Sequence, residues 1–317
     1  MLNSTLLWCL AAVFCAAASS VTAQECKILQ TRVFPGGNEK VLLARRADLG
    51  PAANLGLFKA PLAVNTDGAP NSYHPSDFLG ETKAINRIDN GITIRKAAKP
   101  KVALPVSEKL AVFNSWVQSG TWNEPSGYNI SWKNVIAADA AGLPCVFKQQ
   151  DAGYFGSLTA LKNGLPLSQA GECQRANQLD QRFVPAIVLR GNSNPLKNFG
   201  ARVGDLLIAI NPTSGVAVPA IVGDSGDGNR IGEGSVALNM ALLGKTVQPA
   251  NYQQAKQLDT GTQDIIVAVI PGSRSFALQR PHTSETISGR AKSWASGQGY
   301  GSMAEFTAAI RACAANL

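Results

Sequence analysis

Apolar positions along this chain come in short runs punctuated by Pro, Gly and Asn, not in long periodic stretches. Such runs, bounded by turn formers, predict strands. They fall at residues 57–64, 110–113, 135–138, 183–189, 206–210, 216–222 and 265–270. Two segments read instead as helices. Residues 235–243 are apolar on most sides and stop at Gly244, a suitable residue just past a helix end. Residues 302–314 open with the capping-box string Ser302-Met303-Ala304-Glu305 and place Phe306, Ala309, Ile310 and Cys313 on one face. Residues 24–54 read as an extended strap turning at Phe34-Pro35-Gly36-Gly37-Asn38, and Asp89-Asn90-Gly91 marks another turn. The expected class is α+β and β-dominated, with no repeat and no linker that would split it.

The first residues change the picture of where the chain works. Residues 6–18 form an apolar run, followed by small residues and Val21-Thr22-Ala23 before Gln24. This predicts a secretory signal peptide over 1–23, although Met1 to Thr5 holds no Lys or Arg. The run is too short to read as a membrane span, and no comparable run follows. The expectation is a soluble, secreted or periplasmic monomer that leaves the membrane after cleavage. An N-terminal extension would occupy 24–56 and a single catalytic domain 57–317.

Cys26, Cys145, Cys173 and Cys313 survive that cleavage. An even count in an exported chain predicts disulfides, with three pairings open. We expect Cys145–Cys173 and Cys26–Cys313, the second tying the chain ends together. No CxxC or CxxH spacing occurs, so no metal is expected, nor any organic cofactor. The net charge of +8 favours acidic partners such as nucleic acid or anionic cell-wall polymers. The basic residues are scattered without a dense run, so nucleic acid is not an expected partner.

The chemistry concentrates in residues 221–238. An apolar run leads to Asp224, a loop containing Gly226, Gly228 and Gly232 leads to Glu233, and a helix-like run follows. Two carboxyls either side of a flexible loop are the minimum equipment for hydrolysing a glycosidic bond. Read blandly, both acids are turn and capping residues. Glu233 near a helix start should be held ionised, which suits a base, unless burial offsets it. Its longer reach suits a donor, so the roles stay open. Gly223-Asp224-Ser225-Gly226 also matches the string around a trypsin-like nucleophile. Neither His74 nor His282 sits in the context such a protease needs. The loop fails as a calcium loop because Gly226 occupies the third ligand position.

With these residues in view, the segment 218–243 resembles the signature of glycoside hydrolase family 75, the endo-chitosanases. The matching strings are Gly223-Asp224-Ser225 and Gly232-Glu233-Gly234-Ser235-Val236-Ala237-Leu238, with the two acids nine residues apart. Asp67-Gly68-Ala69-Pro70-Asn71 matches an upstream motif of the family, and Ala304-Glu305-Phe306 is similar to its C-terminal helix. The chain departs from many members at Asn65, where they carry an acid. The resemblance implies a double-psi β-barrel-like core and an endo-hydrolase of β-1,4-linked chitosan, acting by inversion through Asp224 and Glu233.

Other residues could serve the polysaccharide substrate. Asn65, Asp67, Asn71 and Tyr73 either line a sugar cleft or form an Asx-rich turn; Asp227 and Arg230 lie in the loop between the acids. Trp116, Trp122, Tyr128 and Trp132 either stack on sugar rings or pack in a core. Chitosan is a polycation, which a chain of this charge repels unless the cleft is locally acidic. An acidic groove would favour chitosan, and a basic one would favour peptidoglycan or another anionic cell-wall glycan. A non-catalytic carbohydrate-binding protein on the same fold is the reading from outside enzymes, but it has no need for both acids.

Overall fold

A computed structural model describes residues 25–35, 37–147, 153–164, 172–191, 193–226 and 231–317; the expected leader, 1–23, lies outside them. Among the described residues, nine strands form one sheet. Its order is β1 (Cys26–Val33), β2 (Lys40–Arg46), β3 (Leu55–Ala60), β11 (Ile265–Val269), β8 (Leu206–Ile210), β9 (Ala217–Gly226), β7 (Ala186–Arg190), β10 (Glu233–Ser235) and β4 (Ala63–Asn65). Neighbours are antiparallel except β7–β9 and β10–β4, which run parallel. The chain is therefore mixed α and β, and rich in β.

The run expected over 57–64 is interrupted rather than continuous. Pro61 has no N–H to give a ladder, and Leu62 donates its own to Thr260 Oγ1 at 2.8 Å. β3 and β4 are thus consecutive pieces of chain that stand at opposite ends of the ladder β3–β11–β8–β9–β7–β10–β4.

Every residue of β8 and of β11 is buried, because both faces of the sheet are covered. Leu206, Ile208 and Ile210 join a cluster with Ile287 and Trp294 of helix α6 (Ser284–Gly297) and Phe306 and Ile310 of α7 (Met303–Ala314). The alternate residues Leu207 and Ala209 join Phe58, Ile187 and Val222 in a second cluster, with Leu238 and Leu242 of α4 (Val236–Leu243). A side chain of this size contributes about 1.5–3 kcal/mol when fully buried, so alternation fixes the register.

Both expected disulfides are present: Cys26–Cys313 ties β1 to α7, and Cys145–Cys173 joins two loops. No described helix is long and apolar enough to cross a membrane.

The described residues between 66 and 160 build a lobe beside the sheet. It contains α1 (Ile88–Gly91), α2 (Val106–Gln118) and the antiparallel pair β5 (Thr93–Lys96) and β6 (Tyr128–Ser131), around a core of Tyr73, Phe113, Trp116, Ile130 and Phe155. Here the sequence expectation needs correcting. Residues 110–113 are not a strand but part of α2, whose buried Val112, Phe113 and Trp116 recur at helical spacing. A four-residue apolar run is too short to tell the two periods apart. Residues 135–138 contribute only isolated bridges, Ile136 to Ser157 and Ala138 to Pro144. Within the expected strap over 24–54, the described residues form an antiparallel pair, β1 against β2. α6 escaped notice because it is largely polar; Thr283 and Thr286 close its start reciprocally.

Candidate active site

A cleft of about 1070 Å³ opens between the lobe and the sheet. Asp224 reaches it through a bulge. The β7–β9 register pairs Ile187 with Val222 and then Val188 with Asp224, leaving Gly223 as the extra residue. A Cβ at 223 would stand 2.7 Å from both Ala186 Cβ and Leu179 Cδ2, so any larger residue must push these neighbours or the strand aside. Bulges re-aim the next side chain, and here Asp224 lines the cleft while remaining 8% exposed. Its Oδ1 accepts from Ala160 N at 2.9 Å and Ser225 N at 2.8 Å.

Glu233 is placed by backbone constraints on both sides. Gly232 has φ +103, and a Cβ there would lie 2.3 Å from the Pro61 carbonyl oxygen. Ser235 ends β10 and caps α4: its Oγ accepts from Leu238 N and Ala186 N and donates to the Val184 carbonyl. Glu233 consequently sits in a strand ahead of the cap, not in the helix's first turn. Its partner is Arg190 at the end of β7, with Nη1 3.0 Å from Glu233 Oε1.

Asp67 follows β4, and the two readings offered for it coexist. Asn65 Oδ1 accepts from Asp67 N at 2.9 Å, an Asx turn, and both residues line the cleft. Tyr73 Oη donates to Asp67 Oδ1 at 2.7 Å and accepts from Asn86 Nδ2 at 2.9 Å. Asn71 is not among the lining residues; its carbonyl accepts from Ile85 N instead. Asp227 and Arg230 lie outside the described residues. Of the aromatic group, Trp132 lines the cleft while also belonging, with Trp116, to the lobe's buried core; Trp122 and Tyr128 are half-buried and pack against that core.

The three carboxyls experience different surroundings. Burial, reinforced by the neighbouring charge of Asp67, pushes Asp224 up to about 7 against the pull of its two amide donors. Burial also raises Glu233, but the Arg190 guanidinium opposes it, and Asn65 adds a hydrogen bond that favours the ionised form. Burial raises Asp67 as well, with Tyr73 and Asn65 donating against the rise. Tyr73 itself is held well above the ordinary phenol range by burial and by Asp67. A carboxyl that keeps its proton near neutrality stands with one held by a cation, the division of labour acid–base catalysis requires.

Arg190 was not legible in sequence: it falls one residue past an expected strand, with no pattern linking it to Glu233. The same holds for Asn86 and for the lysines of the lining. Around the carboxyls Asp67, Glu172, Asp224 and Glu233 stand Lys133, Lys162, Arg190, Lys197 and Lys256, so the groove is mixed in sign. Lys162 pairs with Glu172 and Lys256 with Asp259. Lys133 Nζ stands 5.7 Å from the Trp132 ring. Neither histidine lines the cleft, so no imidazole is placed there to activate Ser225 as a trypsin-like nucleophile. Among the described residues no group of three or more His, Cys, Asp or Glu is arranged to hold a metal ion. No protein-family model matches the chain, and no curated protein matches it in sequence.

Proposed function

We propose that the protein is an exported glycoside hydrolase that cleaves β-1,4 bonds within an amino-sugar polymer, chitosan, with inversion. The observation that carries this reading is the unequal pair in one open cleft: Asp224, protonated up to about 7, and Glu233, paired with Arg190. Asp224 Oδ1 is engaged by two backbone donors, which leaves Oδ2 to carry the proton. Asp224 gives that proton to the leaving oxygen as the glycosidic C–O bond breaks. A water attacks the opposite face of the sugar, forms the new C–O bond and yields its proton to Glu233. Inversion requires roughly 6.5–9.5 Å between the carboxyls to admit that water. The volume and open form of the cleft suit a polymer. The two disulfides suit an oxidising compartment.

A double-psi β-barrel-like core is part of the same proposal. It is supported by β3 and β4, consecutive in the chain, standing at opposite ends of one ladder, and by the parallel pairs β7–β9 and β10–β4. One observation favours a second substrate: Lys133 and Lys197 line the groove with no ion-pair partner among the described residues. They suit an anionic cell-wall glycan such as peptidoglycan better than a polycation.

The test is release of reducing ends from chitosan at mildly acidic pH by the mature protein, with Asp224→Asn and Glu233→Gln as controls. Turnover in the wild type, near-complete loss in both variants and first product of inverted anomeric configuration are expected. No release at any salt concentration would sink the chitosan reading; release from peptidoglycan instead would establish the second.

A further inference from the structure

Asp67 is fixed more tightly than a side chain that merely meets a sugar needs to be. Its amide donates to Asn65 Oδ1 and its carboxyl accepts from Tyr73 Oη at 2.7 Å. Because Tyr73 Oη already accepts from Asn86 Nδ2, its single proton is directed at Asp67. The ring is 1% exposed, and Gly91 leaves room for it: a Cβ at 91 would stand 2.6 Å from Tyr73 Oη.

One loop of the lobe stitches Asp67 to Asp224. Ser157 Oγ accepts from Gly68 N at 2.9 Å, and three residues on, Ala160 N donates to Asp224 Oδ1 at 2.9 Å. Gly68 is pressed against the same loop, where a Cβ would lie 2.4 Å from Thr159 Cγ2. Two carboxyls held this way in a shielded cleft cannot both ionise cheaply. Burial raises Asp67 as well as Asp224, but Tyr73, Asn65 and the Arg190 charge oppose the rise at Asp67, and Asp224, with no cation paired to it among the described residues, is left to hold the shared proton.

We propose that Asp67 is a positioning residue whose charge, locked beside Asp224 by Tyr73 and Asn65, keeps the proton on Asp224 until the leaving oxygen takes it. The catalytic consequence rests on the hydrolase reading; the effect on Asp224 does not. Lys133 and Lys197 also line the cleft, without an ion-pair partner among the described residues, and the remaining charged groups facing the pair are engaged. Glu233 is held by Arg190, Lys162 by Glu172, and Asp259, behind Glu233, by Lys256.

The test follows the Asp224 carboxyl directly by carbon-13 NMR titration of protein labelled at aspartate carboxyls, with Asp224→Asn to assign the signal. In Asp67→Asn the Asp224 midpoint should fall by about one pH unit, a tenfold change in its protonated fraction above the midpoint. Tyr73→Phe, which weakens the charge on Asp67 without removing the carboxyl, should move it the same way by less. The alkaline limb of the kcat profile should move with it. An unmoved or raised midpoint in folded Asp67→Asn and in Tyr73→Phe overturns the proposal, as does a rise in KM with the titration unchanged, which would make Asp67 a sugar ligand. A shifted midpoint in a protein that cleaves no glycan would support this role while removing the hydrolase reading.

Discussion

Arg190 Nη1 lies 3.0 Å from Glu233 Oε1, and no ion pair reaches Asp224 among the described residues. One guanidinium thereby distinguishes two carboxyls that share a cleft: it opposes the rise that burial imposes on Glu233, whereas Asp224 is pushed up to about 7. It stands at the end of β7, the strand that pairs with both β9, bearing Asp224, and β10, bearing Glu233.

Removing that cation should move one limb of the pH–activity profile and spare the other. In Arg190→Gln, Glu233 loses the charge that opposes its burial, so its midpoint rises. The acid limb of kcat should shift to higher pH by roughly one unit, while the alkaline limb, set by Asp224, stays near 7. Kinetics across pH 4 to 8 on the active glycan would check it, and an unmoved acid limb would remove Glu233 as the base.

The proton on Asp224 should also appear as stability. Its folded midpoint near 7 exceeds the ordinary carboxyl value of about 3.9. Between about pH 4 and 7 the folded state therefore binds more protons than the unfolded state, and stability falls as pH rises. Asp224→Asn should be more stable than wild type at pH 8, by on the order of a few kcal/mol, and little different at pH 4. Denaturant melts at both values decide this.

His282 works in the opposite sense. It is 2% exposed, neither ring nitrogen has a hydrogen-bond partner among the described residues, and burial, with Arg290 and Arg280 nearby, pushes it down to about 4. The unfolded residue titrates near 6.5, so between about 4 and 6.5 the unfolded state binds the extra proton. Stability should then be lost as pH falls through that window, by up to about 3 kcal/mol. His282→Gln should flatten this part of the curve in thermal melts recorded from pH 7 to 4.

Gly223→Ala tests the bulge. The new Cβ meets two side chains at 2.7 Å, and the strand must shift to accept it. A loss of about 1–3 kcal/mol is expected from overpacking. Turnover should fall on the order of tenfold to a hundredfold as Asp224 is displaced. Full activity in a folded variant would show that the bulge does not aim the acid.

Much of the frame was legible along the chain. Strands β8 and β11 and helices α4 and α7 announce themselves because their apolar runs are bounded by turn and capping residues, as Ser235 and Gly244 bound α4. That the cysteines pair followed from count and compartment; which pairs form was one choice among three, and the structure shows Cys26–Cys313 and Cys145–Cys173. What failed was local as well: α2 read as a strand because only four of its residues form an apolar run, and α6 was hidden by its polar face.

By itself the sequence determined that Asp224 and Glu233 flank a glycine-rich loop between a strand and a helix, since spacing and residue type are properties of the chain. It also placed Asp67 beside Asn65 in a polar turn. Only the tertiary structure decided that these acids line one cleft, that Arg190 attends one of them, and that Tyr73 and the loop through Ala160 hold the others. The physical reason is that a carboxyl's charge depends on its neighbours and its burial, and those neighbours are brought from strands and a lobe far apart in the chain.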